Sequence, residues 1–182
     1  MTIKKINTLI TALFFTLLST QMLFGKTAQA FEKEVDFAIE KFKQEVVGGE
    51  KFLSQVKGYL VFPSVIRGGL VIGGKYGEGA LRIKGKTKAY LSMSAASLGL
   101  QVGVQKYAML IAFTTDNTLK NFYKSNGWEI GVDSSVTISQ WGASKDISSM
   151  SFEKPIVIFI YGEKGLMAGI SVAGTKFEQI TP

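Results

Sequence analysis

Three segments of this 182-residue chain carry residue types at spacings that could support catalysis. The first, residues 80–87, reads ALRIKGKT and approaches the phosphate-binding pattern G-x-x-x-x-G-K-[ST], with Ala80 in place of the first glycine. Such a loop needs a glycine-rich turn between a strand and a helix, so that backbone N–H groups surround the phosphates. The middle residues LRIK alternate like a strand instead, and we expect no nucleotide hydrolysis.

Two further catalytic candidates are incomplete. Residues 54–57 form an S-x-x-K tetrad, the nucleophile motif of penicillin-recognising enzymes, but neither S-D-N nor K-T-G accompanies it. We therefore interpret this tetrad as the end of a helix. Glu129 and Asp133 could serve as a carboxylate pair in glycoside hydrolysis. On one strand they would lie about 13 Å apart, which is too far for either glycosidase geometry.

The residue types that the chain lacks exclude most enzyme mechanisms. It contains no cysteine and no histidine. Thiolate nucleophiles, thiolate metal sites, Ser-His and Cys-His triads and the commonest general base are therefore all excluded. Only carboxylate or lysine chemistry would remain, and its motifs are incomplete. We accordingly expect a protein that is not an enzyme and that needs no cofactor or catalytic metal.

The first thirty residues have the pattern of a secretory signal peptide. A basic start is followed by an apolar centre at Leu9–Leu18, and residues 28–30 read AQA, an A-x-A cleavage site. We expect cleavage after Ala30, a mature domain of residues 31–182, and a periplasmic or secreted location. The alternative is an uncleaved membrane anchor, because about 20 apolar residues can span a bilayer.

The positive charge of the mature chain is concentrated in one segment. The full chain carries +7, and loss of the three lysines of the leader leaves +4. Residues 58–88 hold one acid and six bases, which are Arg67, Lys75, Arg82, Lys84, Lys86 and Lys88. We take these six bases as candidate lipid-binding residues, because clustered cations attract the phosphate groups of anionic membranes.

The last four of these bases alternate without a break. If residues 82–88 form one strand, the four cations share a face. If Gly85 and Lys86 form a hairpin turn, the cations crowd its tip. Either arrangement predicts a compact positive patch, to which Arg67 and Lys75 could also belong. The alternative without a ligand is an edge strand on which lysines block aggregation. Export and the modest charge argue against a nucleic-acid partner.

The hydrophobic periodicity predicts an α+β domain. Phe31–Val47 carries one apolar stripe and reads as an amphipathic helix, and a second helix is expected near residues 116–126. Trp128–Ile138 alternates with a period of two, which indicates one strand with a buried and a wet face. Pro155–Tyr161 is a continuous apolar run and reads as a fully buried strand. We expect one domain whose glycine-rich, mostly antiparallel and strongly curved sheet packs against these helices.

A short glycine pattern, G-[LW]-x-x-G, occurs four times in the chain. Its copies are residues 69–73, 99–103, 127–131 and 165–169. If each copy lay on a strand, it would place two glycines on the same face. We interpret these positions as bends or bulges that let the sheet curve. A glycine-lined surface for a ligand is the functional alternative.

Several of these glycine-rich motifs together resemble the SYLF domain family. GYLVFPSV at 58–65 and GGLVIGGKYGEG at 68–79 resemble its opening motifs. Its central motifs are similar to SLGLQVGVQ at 97–105 and GWEIGVD at 127–133, and its C-terminal signature to GLMAGI at 165–170 with GTK at 174–176. The motifs occur in order over nearly all of the mature chain.

This resemblance implies a lipid-binding module without catalysis. The eukaryotic members are implicated in phosphoinositide binding and actin regulation, and the bacterial members are described as exported. Lipid contacts in the family are associated with an N-terminal amphipathic helix and with basic residues. Because the helix from Phe31 is acidic on balance, we favour residues 67–88 as the site for an anionic phospholipid or membrane surface. The alternative function is a cell-envelope scaffold that binds a protein partner.

Overall fold

The computed structural model describes residues 27–69, 72–98, 103–124, 128–130, 136–140, 147, 154–161, 172 and 174–181. These residues form helices α1 (Ala28–Glu45), α2 (Gly49–Gln55) and α3 (Asp116–Lys124). They also form strands β1 (Gly58–Gly69), β2 (Ile72–Ile83), β3 (Lys86–Leu98), β4 (Gly103–Phe113), β5 (Trp128–Ile130), β6 (Val136–Gln140), β7 (Ile156–Tyr161) and β8 (Thr175–Ile180). This architecture confirms the predicted α+β class.

The strands form one sheet in the order β5-β8-β3-β2-β1-β4-β7-β6. Every neighbouring pair is antiparallel except β6 and β7, which run parallel. A flat sheet of this width would separate its edges by about 34 Å. The link between Ile130 and Val136, which joins the two edge strands, reaches at most about 22 Å. The sheet must therefore be strongly curved, as the sequence predicts.

The prediction of one strand over Trp128–Ile138 is wrong. Residues at its start form β5 and pair with β8 at one edge of the sheet. Residues at its end form β6 and pair with β7 at the other edge. The alternation with a period of two is compatible with both short strands, because it reports a half-buried strand and not its partner.

Both faces of the sheet are buried over much of their area. We call the face covered by α1 and α2 the α1 face, and the opposite one, on which Leu119 and Phe122 of α3 pack, the α3 face. The apolar strand β7 contributes to both. Its residues Ile156, Ile158 and Ile160 pack on the α3 face, and Val157, Phe159 and Tyr161 on the α1 face. The prediction of a fully buried strand here is confirmed.

Helix α1 begins three residues before the predicted start. The Ala30 N–H donates to Thr27 Oγ1 at 3.3 Å, so that Thr27 caps the helix. The apolar stripe lies against the sheet, with Phe31, Val35 and Phe42 buried. The predicted signal peptide falls mostly on residues 1–26, outside the described residues, and its cleavage stays a prediction. In the described part of the chain, no helix is long and apolar enough to cross a membrane.

Strand β1 continues through Pro63. Val61 pairs with Ala80 and Ser64 with Glu78, which leaves two residues of β1 opposite one of β2. Pro63 lies in this β-bulge, where a residue without an N–H is tolerated. The first copy of the glycine pattern, residues 69–73, spans the connection between β1 and β2. Its two glycines, Gly69 at the end of β1 and Gly73 in β2, are cross-strand partners.

Candidate lipid-binding surfaces

A two-residue turn places three lysines at the tip of the β2–β3 hairpin. Lys84 and Gly85 form the turn, and their positive φ angles of 50° and 74° are those of a type I′ turn. Of the two arrangements that the sequence left open, the hairpin is right, although the turn lies one residue earlier. Lys84, Lys86 and Lys88 are exposed, and we call them the tip lysines. The strand–turn–strand geometry also differs from the strand–loop–helix of a phosphate-binding loop.

Arg82 lies away from this tip cluster, because it points into the α1 face. Only 8% of its surface is exposed, and its Nη2 lies 2.6 Å from both Glu32 Oε2 and Asp36 Oδ1 of α1. Glu32 Oε1 also accepts hydrogen bonds from Thr87 Oγ1 at 2.7 Å and Tyr90 Oη at 2.6 Å. These five residues form what we call the Arg82 network. It fixes the first turns of α1 to the base of the hairpin.

The hydrogen bonds of this network act on the Glu32 carboxyl. Its partial burial would by itself raise the pKa. The hydrogen bonds from Tyr90 and Thr87 and the charge of Arg82 outweigh that effect, so the pKa of Glu32 is lowered. Glu32 is therefore ionised at neutral pH, and it balances the guanidinium of Arg82. The structure gives Arg82 a position in the interior contact between α1 and the sheet.

Arg67 and Lys75 occupy a third location. They are cross-strand partners in β1 and β2, near the β1–β2 connection. Because a strand rises about 3.3 Å per residue, Lys75 lies about 30 Å along β2 from Lys84. The prediction of one compact patch is therefore wrong: the six bases divide into the tip lysines, the interior Arg82 and the Arg67–Lys75 pair. Whether any of them binds lipid stays a prediction.

The Lys75 ammonium is perturbed by its surroundings. Burial, with the neighbouring charge of Arg67, lowers the pKa of Lys75 to about 8. The folded protein then releases this proton more readily than the unfolded chain. The stability that depends on Lys75 should accordingly rise with pH between about 8 and 10.5.

We expect an NMR titration of ¹³C-labelled lysine side chains to show this shift directly. The Lys75 resonance should titrate with a midpoint near pH 8. In Arg67→Gln the midpoint should rise, because the neighbouring positive charge is gone. A wild-type midpoint near 10.5, or one that Arg67→Gln leaves unchanged, would contradict this electrostatic environment.

A groove beside α1 contains residues that the sequence reasoning missed. It encloses about 560 Å³ between α1 and the central parts of β1 and β4, with Ala38, Pro63 and Ala108 in its lining. Phe37 borders it and is 72% exposed, in contrast to the buried apolar stripe of the same helix. Three lysines, Lys33, Lys41 and Lys106, and one acid, Glu34, also line the groove.

The signal for this groove was present in the sequence. Lys33, Phe37 and Lys41 recur every four residues, which places them along one side of the helix. The total charge of α1 does not reveal the positive charge on this side of the helix, because the total also includes Glu32 and Asp36. Those two carboxylates are bound to Arg82 in the structure. A count by helix side, instead of over the whole helix, would have separated the two groups.

Beyond the groove, the α1 face of the sheet exposes further apolar side chains. Ile66 and Tyr76 are cross-strand partners and are 52% and 51% exposed. Val104, opposite Gly68 on the neighbouring strand, is 77% exposed. Lys106 lies opposite Ile66, so a lysine of the groove borders this apolar area. The exposed area is continuous with the groove along β1 and β4.

The residues considered as catalytic candidates lie in ordinary helix and strand positions wherever the structure describes them. The Ser54 hydroxyl donates to the Lys51 carbonyl at 2.7 Å within the last turn of α2, as expected for a helix end. Glu129 lies in β5, whereas Asp133 is outside the described residues. Among the described side chains there is no group of three or more acids arranged to hold a metal ion.

Comparison with known proteins bears on the second half of the chain. A family model described as "Las17-binding protein actin regulator" and named Ysc84 matches residues 94–181. The matched range runs from the middle of β3 through β8 and confirms the resemblance drawn from the motifs. No curated protein matches the chain. Residues 94–181 of the chain therefore match the Ysc84, or SYLF, domain family, whose model is described by actin regulation.

Proposed function

We propose that this protein is an exported, non-catalytic module that binds the headgroups of anionic phospholipids through its tip lysines. One observation carries the proposal: three exposed lysines lie within five residues at a two-residue hairpin turn, and none of them pairs with an acid among the residues that the structure describes. Their ammonium groups are therefore available to phosphate. Export is supported by the leader pattern in residues 1–30.

The charge of the tip sets the expected strength of binding. Each lysine held near an anionic membrane surface contributes about 1 kcal/mol. Three of them together contribute about 3 kcal/mol, or roughly a hundredfold in affinity. The attraction acts only within the Debye length, about 10 Å at 0.1 M salt, so it weakens at higher ionic strength. A salt-sensitive preference for acidic vesicles is the expected signature.

Vesicle flotation tests this prediction. Binding to vesicles that contain phosphatidylglycerol should fall roughly a hundredfold in Lys84→Ser/Lys86→Ser/Lys88→Ser. The matched control is Lys51→Ser/Lys120→Ser/Lys124→Ser, which removes the same charge from exposed helical positions. Equal losses in both triple variants would mean that net charge alone drives binding. No binding of the wild type to acidic vesicles at low salt would refute the proposal.

The second candidate function is a cell-envelope scaffold that binds a protein partner. It is favoured by the exposed apolar side chains of Ile66, Tyr76 and Val104 on one face of the sheet. Exposed contiguous apolar surface of this kind often marks protein interfaces. A stoichiometric partner recovered from lipid-free extract, and lost in Ile66→Ser/Val104→Ser, would favour the scaffold over the lipid-binding module.

A further inference from the structure

We infer that the groove between α1 and strands β1 and β4 binds one anionic amphiphile, a molecule with a phosphate head and an alkyl chain. The inference deepens the proposed function and rests on it for the class of ligand. The groove is a different surface from the hairpin tip: it lies beside Pro63 and Lys106, whereas the tip lies at the far end of β2. Lipid in a membrane and lipid held singly would thus be bound by different residues.

The charges around the groove suit a phosphate head. Lys33 and Lys41 stand two turns apart on α1, about 12 Å along the helix, and Lys106 faces them from β4. With Glu34 counted, the lining carries a net charge of +2. The Lys41 ammonium also lies 3.6 Å from the Glu45 carboxylate, in an exposed pair that competes only weakly for it.

The apolar part of the lining suits an alkyl chain. Phe37 is 72% exposed at the mouth of the groove, and Ala38, Pro63 and Ala108 line it. A chain laid along Phe37 would remove its ring from water, which favours binding in proportion to the area covered. The volume of about 560 Å³ is within the range of small-molecule sites. Exposed Ile66 and Val104 offer apolar surface to a longer chain.

The sheet register argues against an extended peptide as the occupant. A peptide that adds a strand needs a sheet edge with unpaired backbone groups. The floor of this groove is formed by β1 and β4, which are both interior strands. β1 pairs with β2 and β4, and β4 pairs with β1 and β7. The groove therefore offers its occupant side chains, and these combine apolar surface with positive charge.

Calorimetric titration of the full chain with dodecyl phosphate, kept below its critical micelle concentration, tests the inference. We expect saturable binding of one molecule per chain. Phe37→Ser should weaken it at least tenfold, and so should Lys41→Ser/Lys106→Ser. Both variants alter exposed or half-buried side chains, so the fold should persist, which circular dichroism checks. The matched control is Lys51→Ser/Lys120→Ser, which removes the same charge from exposed helical positions outside the groove and should bind like the wild type.

The other arms of the titration identify the ligand. Binding of inorganic phosphate as tight as that of dodecyl phosphate would reduce the groove to an anion site and overturn the inference. Displacement of dodecyl phosphate by a glutamate-rich peptide at lower concentration would assign the groove to a protein partner and also overturn it. Equal binding by the wild type and both groove variants would have the same consequence.

The groove and the hairpin tip can fail separately. If dodecyl phosphate does not bind in the groove while the tip variant Lys84→Ser/Lys86→Ser/Lys88→Ser still loses vesicle binding, only the inference about the groove is wrong. If dodecyl phosphate binds with the expected variant pattern while acidic vesicles do not bind the wild type, only the proposed membrane function is wrong. Flotation and calorimetry on the same set of variants therefore separate the two statements.

Discussion

Arg82→Met should lower the free energy of unfolding by about 2–3 kcal/mol. Methionine fills a comparable volume, but it leaves Glu32 partly buried without its cation and removes the link between α1 and the hairpin. Loss of one partner from a fully buried pair typically costs about 3–5 kcal/mol. The expected loss is smaller here because the Asp36 side chain is 66% exposed and that of Glu32 is 25% exposed.

Urea unfolding followed by circular dichroism measures this effect. Lys84→Met is the matched control, because it removes the same charge two residues away at an exposed position, and it should change stability by less than about 0.5 kcal/mol. The double variant Arg82→Met/Glu32→Gln should recover part of the loss, since the partly buried carboxylate is then neutral and the remaining one, on Asp36, is 66% exposed. A loss in Arg82→Met no larger than in Lys84→Met would show that the network adds nothing to stability.

Gly79→Ala should destabilise the protein by about 3 kcal/mol, the upper end of what overpacking usually costs. A Cβ at this position would lie 2.5 Å from the Val61 carbonyl oxygen and 2.7 Å from the Phe62 ring. Neither can move aside easily, because both belong to the β-bulge that faces Gly79. Relief would require β1 and β2 to separate in the middle of the sheet.

A second glycine of the same strand supplies the control. At Gly74 a Cβ would meet only the Ala95 carbonyl oxygen, at an ordinary 3.4 Å. Gly74→Ala should therefore stay within about 0.5 kcal/mol of the wild type or stabilise it slightly, because alanine restricts the unfolded chain. Thermal and urea unfolding of the two variants give the comparison. Similar stabilities for both would contradict the close approach of the bulge to Gly79.

The elements whose patterns are local were predictable from the sequence. The stripe from Phe31 identified α1 because its spacing of three and four residues depends on the helix alone. The apolar run at Pro155–Tyr161 identified a strand buried on both faces for the same reason. The helix expected near residues 116–126 is α3, which ends at Lys124. In these three segments the signal comes from a single helix or strand, and the structure follows it.

The features that were missed depend on contacts between distant segments. Arg82 meets Glu32 across 50 positions of sequence, and nothing in the alternation of residues 82–88 distinguishes its inward direction. The division of Trp128–Ile138 between two sheet edges depends equally on partners far along the chain. The groove lysines were missed because charge was summed over α1 instead of over its sides. The hydrophobic periodicity of a segment shows which of its residues are buried, but it does not show which distant segment they contact.

The arrangement of the sheet edges bears on how the domain forms and opens. β1, β2 and β3 are consecutive hairpin neighbours, so their pairing closes only short loops. β8 pairs with β3 although the two are far apart in sequence, as the pairing of Ile180 with Tyr90 shows. Long-range closures of this kind are slow and come late in folding. Opening should follow the reverse order: β5 and β8 detach as one cooperative unit, and amide exchange is fastest there while the β1–β2–β3 meander stays protected.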